Sequence, residues 1–183
     1  MTREEALKLV QEKIQNQNLI KHCLAVEACM KGFAQHFNEN IEMWGLAGLL
    51  HDIDYELTKD NPQQHSVIGA EMLEKLGVDK EICKAVKTHN EMHGLKPESL
   101  IAKTLLPVDP LTGLIVASVL VLPSKKIVDL TAENVLNRFK EKGFAKGAKR
   151  EIISKCVDAG LNLEEFVKIG LGAMKKICNE LGL

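Results

Sequence analysis

Apolar residues recur along this chain every three or four positions, which is the spacing of one face of an α-helix. The pattern predicts helices over residues 3–15, 18–37, 40–53, 62–77, 78–94, 97–106, 109–122, 131–140, 148–159 and 162–181. The segment 109–122 is also compatible with a β-strand, because it is rich in valine and isoleucine. Proline is favoured at the first helical position, so Asp109-Pro110 favours a helix with Asp109 as its N-cap. We therefore predict an all-α fold.

Residues at the ends of these segments support the helical interpretation. Thr2 and Glu5 have the spacing of a capping box at the start of the first helix. Pro62 is placed to begin the helix over 62–77, which Gly77 would end. No linker, repeat or low-complexity tract divides the chain, so one domain is expected.

Composition narrows the class of protein. A chain of 183 residues can bury on the order of 70% of its unfolded surface without disulfides. Its net charge of −1 gives no general electrostatic reason to expect a nucleic-acid polymer or a membrane as partner. The five cysteines include no Cys-x-x-Cys pair, which indicates reduced thiols and a cytoplasmic location. The start is not typical of a signal peptide, and the apolar run 111–122 is shorter than the ~20 residues of a membrane span.

The stretch GLAGLLHDIDYE carries an apolar helix directly into His51 and Asp52. Polar groups buried there without partners would be costly, and a bound metal ion would satisfy them. Transition metals such as iron, manganese, zinc and cobalt favour mixed imidazole and carboxylate ligands, which packed helices can project inward. Neighbouring side chains point about 100° apart on a helix, so ions would lie against the helix end, where Asp52 could bridge two of them. Further candidate ligands lie near other helix ends or turns: His22, His65, His89 and Asp109.

Geometry removes two other histidines from this set. His36 lies fourteen residues after His22 on the same predicted helix, which is about 21 Å along its axis. The two residues therefore cannot bind one ion. His93 precedes Gly94, where the helix is expected to fray, so His93 is left out.

The ordered set His22, His51-Asp52 and Asp109 resembles the H…HD…D signature of the HD-domain metal-dependent phosphohydrolases. The surrounding stretches KHCLAVEACM, WGLAGLLHDIDYE, HSVIGAEML, THNE and VDPLTGLIVA are similar to small stand-alone HDIG-domain proteins. The resemblance implies a single compact multi-helix HD-domain bundle over 1–183. Within it, a metal-binding core would span about 18–122 and a C-terminal helical extension about 123–183.

The resemblance also assigns the metal ligands. It implies one or two divalent ions (iron, manganese, zinc, cobalt or nickel, with magnesium possible). The first ion would be held by His22, His51, Asp52 and Asp109, and the second by His65 and His89. Two positions depart from the pattern, since Asn90 stands where a further histidine is common and Asp54-Tyr55 stands where glycine and lysine are common.

The implied reaction is hydrolysis of a phosphoester or phosphoanhydride by metal-activated water. Asp52 and Asp54 are the predicted catalytic residues, with Glu56 as an alternative to Asp54 for acid–base work. A solvated loop is an equally good explanation of Asp54 and Glu56. Basic residues of the C-terminal extension could bind substrate phosphates, although such a run is also typical of a solvated helix face. The basic run 137–151 also contains Lys140, Lys146 and Lys149, and the first candidates are Lys125, Lys126, Arg138, Lys142 and Arg150.

The expected partner is a small phosphorylated molecule, most simply a nucleotide or a related metabolite. A nucleoside monophosphate, a dinucleoside polyphosphate and a cyclic dinucleotide remain open as substrates, and the cyclic dinucleotide is the least favoured because the extended motif of the enzymes that cleave it is incomplete here. A second hypothesis is a metal-containing HD-fold module that binds or senses a nucleotide without turnover. A third is an oxygen-activating diiron protein, which a binuclear His/Asp site also allows chemically.

Overall fold

The computed structural model describes residues 1–183, which form helices and no β-strand. The α-helices are α1 (Arg3–Lys13), α2 (Gln17–Phe37), α3 (Ile41–Leu50), α4 (Tyr55–Thr58), α5 (Val67–Lys75), α6 (Lys80–Thr88), α7 (Leu100–Leu120), α8 (Ala132–Lys140), α9 (Arg150–Ile153), α10 (Leu163–Lys176) and α11 (Cys178–Leu181). Short 3₁₀ helices cover Glu91–His93, Ile127–Asp129 and Ser154–Ala159. The predicted all-α class is confirmed.

Two helices of 21 residues each, α2 and α7, form the centre of the fold. Helix α3 packs along α2, α6 packs against α3 and α7, and α10 covers the other side of α2. Phe33 on α2 stacks on Phe166 of α10 with ring centroids 4.7 Å apart. One cluster of 44 buried hydrophobic residues runs from Ala6 to Leu181, so the C-terminal helices share the core of the N-terminal ones.

Helices α2 and α3 approach closely at Gly48. A Cβ atom on Gly48 would lie 2.8 Å from the carbonyl oxygen of Val26 and 2.9 Å from the Glu27 backbone. Only a glycine permits this separation, since a larger residue would push the helices apart. The contact lies one helical turn before His51 and so sets the distance from the end of α3 to α2.

Residues 100–120 form one helix where the sequence pattern predicts two, over 97–106 and 109–122. Helix α7 begins after its N-cap Ser99 and runs through Pro107 and Pro110 without ending. The prediction of Asp109 as an N-cap is therefore wrong. Proline removes one backbone donor and disfavours the helix, but the apolar residues around both prolines are buried on this helix, and that packing outweighs the local preference.

By length and composition, α7 is also the one helix that could cross a membrane, but 61% of its most apolar window is buried. That degree of burial is typical of the core helix of a soluble protein.

Other boundaries differ from the prediction over shorter stretches. Helix α5 begins at Val67 instead of Pro62, and Ser66 before it has a φ of 72°. The segment predicted over 148–159 divides into α9 and a 3₁₀ helix, and α10 ends at Lys176. The first helix does begin with the predicted capping box of Thr2 and Glu5.

Candidate metal centre

Six side chains from five parts of the chain converge at one end of α3. His22 projects from α2, and its Nε2 atom lies 3.2 Å from Nε2 of His51 at the end of α3. The same His22 atom lies 3.1 Å from Oδ1 of Asp109, which projects from the middle of α7. His65 and His89 complete the cluster from the segment before α5 and from the end of α6. These are the six residues that the sequence pattern nominates as metal ligands.

The carboxylate of Asp52 divides the cluster into two halves. Its Oδ2 atom lies 3.5 Å from Nε2 of His51 and 3.7 Å from Nε2 of His22. Its Oδ1 atom lies 3.2 Å from Nε2 of His65 and 3.4 Å from Nε2 of His89. One carboxylate oxygen thus faces each pair of imidazoles, so Asp52 could offer an oxygen to an ion in either half.

Hydrogen bonds on the outer side of the cluster fix the tautomers of two histidines. Nδ1 of His51 lies 2.8 Å from the carbonyl oxygen of Gly48, and Nδ1 of His89 lies 2.6 Å from that of Val86. A carbonyl oxygen only accepts, so each Nδ1 must carry the proton and donate it. The Nε2 atom of each ring therefore faces the interior of the cluster.

The other two histidines are oriented in the same sense. The Thr112 hydroxyl donates to the Asp109 carbonyl (2.8 Å) and so accepts from Nδ1 of His22 at 3.1 Å. Nδ1 of His65 donates to Oδ1 of Asp54 at 2.9 Å. The Nε2 atoms of four imidazoles and the oxygens of two aspartates therefore point at each other. A cation satisfies such a set, and outward-facing partners of this kind are typical of metal-binding histidines.

The electrostatics of the cluster suit a cation as well. Burial lowers the pKa of His51 to about 4, so its ring is neutral and able to bind a metal at neutral pH. Burial by itself would raise the pKa of Asp52, but the surrounding imidazoles hold it well below its usual range. Burial also opposes the charge on His65, yet its hydrogen bonds to Asp52 and Asp54 raise its pKa to about 10. Without an ion the His65 ring is therefore protonated at neutral pH, and a bound metal would take the place of the proton on Nε2. The residues present fit a divalent transition-metal site.

Asp54 lies behind this cluster and not on its open side. Its side chain is buried, Oδ2 accepts from the backbone N–H groups of Ser66 (2.9 Å) and Gly69 (2.8 Å), and Oδ1 accepts from His65. A Cβ atom on Gly69 would lie 3.0 Å from this carboxyl group. The geometry favours Asp54 as the residue that orients His65, while direct work on the attacking water remains a prediction.

Replacing Asp54 with asparagine is expected to weaken divalent-metal binding on the His65 side about 10- to 100-fold, the usual cost of losing such a partner. The amide would place an N–H against either the His65 donor or the backbone donors. Titration of metal-free protein with Mn²⁺ would measure the change. Asp60→Asn, on the exposed loop nearby, is the matched control, and equal affinities for both variants would show that Asp54 does not orient a ligand.

An open cleft of about 1110 Å³ lies above the cluster. His22, Asp52, His65 and Asp109 form part of its lining, so both halves of the centre face it. The Glu56 carboxylate on its rim accepts from the backbone N–H groups of Gln15 and Asn16 at 2.9 and 2.7 Å. Glu56 therefore holds the connection between α1 and α2 against the cleft.

The structure does not bring the predicted phosphate ligands to this cleft, whose lining contains none of them. Arg138 pairs with Glu141 at 2.8 Å, and the guanidinium of Arg150 donates to six backbone carbonyl groups. Both side chains are thereby occupied within their own segment. Phosphate binding by these basic residues remains a prediction, and their positions do not support it. The residues concerned are Lys125, Lys126, Arg138, Lys142 and Arg150.

Two features of the site were not predicted: Thr112 orients His22, and Gly147 lines the cleft from the C-terminal extension. Lys149, which belongs to the predicted basic run, also lines the cleft. The position of Thr112 one helical turn from Asp109 was the available signal for the first. For Lys149 the basic run was the only signal, and it did not distinguish this lysine from its neighbours.

Comparison with known proteins agrees with this geometry. A family model described as HD domain matches residues 19–116, more than half of the chain. Ribonuclease Y of Lawsonia intracellularis is 31% identical over 139 residues, which are 74% of this chain and 26% of that protein. Ribonuclease Y of Geobacter sulfurreducens is 33% identical over 98 residues, or 54% of this chain and 18% of that protein.

A third relative, ribonuclease Y of Thermosipho melanesiensis, is 35% identical over 86 residues, covering 46% of this chain and 17% of that protein. The chain thus matches only about a quarter or less of the length of these curated relatives. The matched region includes all six residues of the cluster. This chain therefore belongs to the HD-domain family.

Proposed function

We propose that this protein is a metal-dependent phosphohydrolase, which cleaves a phosphoester or phosphoanhydride bond in a nucleotide or a related phosphorylated metabolite. The observation that carries the proposal is the convergence of four imidazole Nε2 atoms and two aspartates on one centre. Membership of the HD-domain family supports the same class of reaction.

The residues of the site have two kinds of role: some would hold a divalent ion, and others orient the histidines that would hold it. A divalent ion bound here would polarise a phosphoryl oxygen and lower the pKa of a water molecule far enough to give hydroxide near neutral pH. Asp52, with one oxygen toward each half of the centre, would fix the spacing of two ions. Thr112 and Asp54 would keep the imidazoles of His22 and His65 in their metal-binding orientation.

The cleft and the relatives suggest two groups of substrates. A small nucleotide fits an open cleft of about 1110 Å³. The curated relatives are named as ribonucleases, which makes phosphodiester bonds in RNA a second candidate, with the same bond chemistry. Since the chain matches only part of those proteins, RNA belongs in the test as one substrate among several.

A non-catalytic nucleotide sensor is the alternative that one observation favours. Asn90 stands at the position where a further histidine is common, in the recess that His65 and His89 also line, but its amide nitrogen is engaged elsewhere. Its amide donates to the carbonyl oxygens of Pro62 and His65, each at 3.2 Å. The His65 half of the centre therefore has one nitrogen ligand fewer than the fullest form of the pattern would supply.

Treatment with EDTA is expected to abolish phosphate release, and addition of Mn²⁺, Co²⁺ or Ni²⁺ to restore it. The substrates to test are nucleoside monophosphates, dinucleoside polyphosphates, cyclic dinucleotides and a short RNA, with inorganic phosphate or cleaved product as the readout. Hydrolysis that the chelator leaves untouched would contradict the proposal. Tight nucleotide binding without turnover under any metal would favour the sensor.

Two histidines on α2 provide the matched control for this experiment. His22 belongs to the centre, whereas His36 is at the far end of the same helix, near Glu165. His22→Gln is expected to lose metal and turnover, and His36→Gln to keep both. Equal losses in the two variants would point to damage of the helix instead of the metal centre.

A further inference from the structure

Lys149 reaches the metal centre from outside the region that the family model matches. That region ends at residue 116, whereas Lys149 directly precedes α9 in the C-terminal extension. Lys149 lines the cleft beside His65 and Asp109, and it also lines the adjoining recess that contains His89. It is therefore a cationic side chain at the mouth of both halves of the centre.

The backbone around Lys149 is held in place by its neighbour Arg150. The guanidinium of Arg150 donates to carbonyl groups of the turn that connects α8 to α9, among them Ala148 and Phe144 (2.7 Å). The buried Ile153 of α9 packs this turn onto the core. Lys149 is therefore presented to the cleft from a fixed backbone instead of a free tail.

The ammonium group of Lys149 pairs with the carboxylate of Glu91, on the 3₁₀ helix after α6. The Lys149 side chain is 51% exposed and that of Glu91 31% exposed, so the pair is accessible to solvent and to ligands. An exposed ion pair of this kind is weak and easily exchanged. The Glu91 carboxylate thus already pairs with the Lys149 ammonium group at the edge of the centre, where a substrate anion would bind.

Cations are scarce around this cleft. Among the residues that line the cleft and the recess, Lys59 and Lys149 are the only lysines, and there is no arginine. Of the two, only Lys149 lines both spaces. A phosphorylated substrate needs charge neutralisation beyond what the ions supply, and lysine is a common ligand for phosphate.

We propose that Lys149 binds a phosphate group of the substrate and that Glu91 restrains it until the substrate displaces the carboxylate. This inference rests on the proposed function, because it assigns a role within the same site. It identifies the C-terminal extension as a part of the substrate site and Glu91 as a residue that tunes affinity for anions.

The test compares three variants by calorimetric titration with pyrophosphate, on EDTA-treated and on Mn²⁺-loaded protein. Lys149→Met is expected to weaken binding about tenfold, the effect of losing one charge-assisted hydrogen bond. Glu91→Gln frees the ammonium group and is expected to strengthen binding about two- to fivefold, the usual strength of an exposed pair. Lys140→Met, which removes an exposed lysine at the end of α8, is expected to change nothing.

Kinetics on whichever substrate the metal assay identifies provide the second readout. A binding role predicts a raised KM in Lys149→Met and a lowered KM in Glu91→Gln, with kcat nearly unchanged in both. Pyrophosphate affinity that is the same in all three variants would overturn the proposal, as would a wild-type protein that binds no pyrophosphate. If pyrophosphate binding changes as expected while no substrate is hydrolysed, Lys149 is a phosphate ligand and the hydrolase proposal alone fails.

Discussion

Asp52→Asn is expected to abolish turnover and to leave the purified protein with less divalent metal than the wild type. The two carboxylate oxygens of Asp52 each face a different pair of imidazoles, at distances of 3.2–3.7 Å. An asparagine keeps the shape of the side chain but offers only one oxygen. Its amide N–H₂ group would stand in place of the other oxygen and could not ligate an ion.

The loss of activity and metal affinity in Asp52→Asn should exceed the loss caused by replacing a residue that only orients a metal ligand. Such residues cost about 10- to 100-fold in metal affinity or activity, so we expect kcat of Asp52→Asn to fall by more than about 100-fold. Elemental analysis of the purified protein and an EDTA-buffered Mn²⁺ titration would measure the metal directly. The circular dichroism spectrum should stay helical, because the packing of α3 does not depend on the Asp52 carboxylate.

Asp60→Asn makes the same chemical change at an exposed position of the following loop and should keep full metal content and activity. A variant Asp52→Asn that retains the wild-type metal content would show that the carboxylate is not a ligand. Retained metal with lost turnover would restrict Asp52 to the chemistry and would remove the bridging role.

The sequence was sufficient to select the six residues that the fold brings together, and two of them have a local signature. His51 and Asp52 follow directly on a buried apolar helix, and polar groups in that place need a partner. The order of the histidines and aspartates along the chain then carried the resemblance to the HD-domain family, which the family model confirms. Asp109 was selected in the same way, although the local structure expected around it was wrong.

The helix boundaries were harder to predict where distant contacts outweigh local preference. Pro107 and Pro110 indicate a break, yet α7 continues through both because its apolar residues are buried. Pro62 indicates a helix start, but the Asp54 carboxylate binds the N–H groups of Ser66 and Gly69 and delays the helix to Val67. Neither contact can be inferred from the residues within one turn of these prolines.

The basic run of the C-terminal extension contains residues whose different roles cannot be distinguished from the sequence. Lys149 and Arg150 are adjacent, carry the same charge and belong to the same run. In the fold, Lys149 faces the cleft while the guanidinium of Arg150 faces the backbone of its own segment. The side to which each charge points is set by the packing of the turn against the core, which a charge pattern does not record.

The second large effect is expected from Arg150→Met, which should lower the free energy of unfolding by about 2–4 kcal/mol, since several hydrogen bonds to a charged donor are lost together. Burial lowers the pKa of the Arg150 guanidinium, as expected for a cation whose partners are neutral carbonyl groups. Methionine retains most of the aliphatic packing but leaves these carbonyl groups to water. They belong to Arg138, Phe139, Glu141, Phe144, Ala145 and Ala148.

Urea unfolding of the EDTA-treated proteins would measure this loss without a contribution from bound metal. Arg138→Met is the matched control, because Arg138 also lies near an aromatic ring but pairs only with the exposed carboxylate of Glu141. Its loss should cost less than about 1 kcal/mol.

Since Arg150 also fixes the turn before Lys149, only Arg150→Met should weaken pyrophosphate binding together with stability. If Arg150→Met instead raised KM while leaving stability unchanged, Arg150 would contact the substrate directly, and the backbone role assigned to its guanidinium would be wrong.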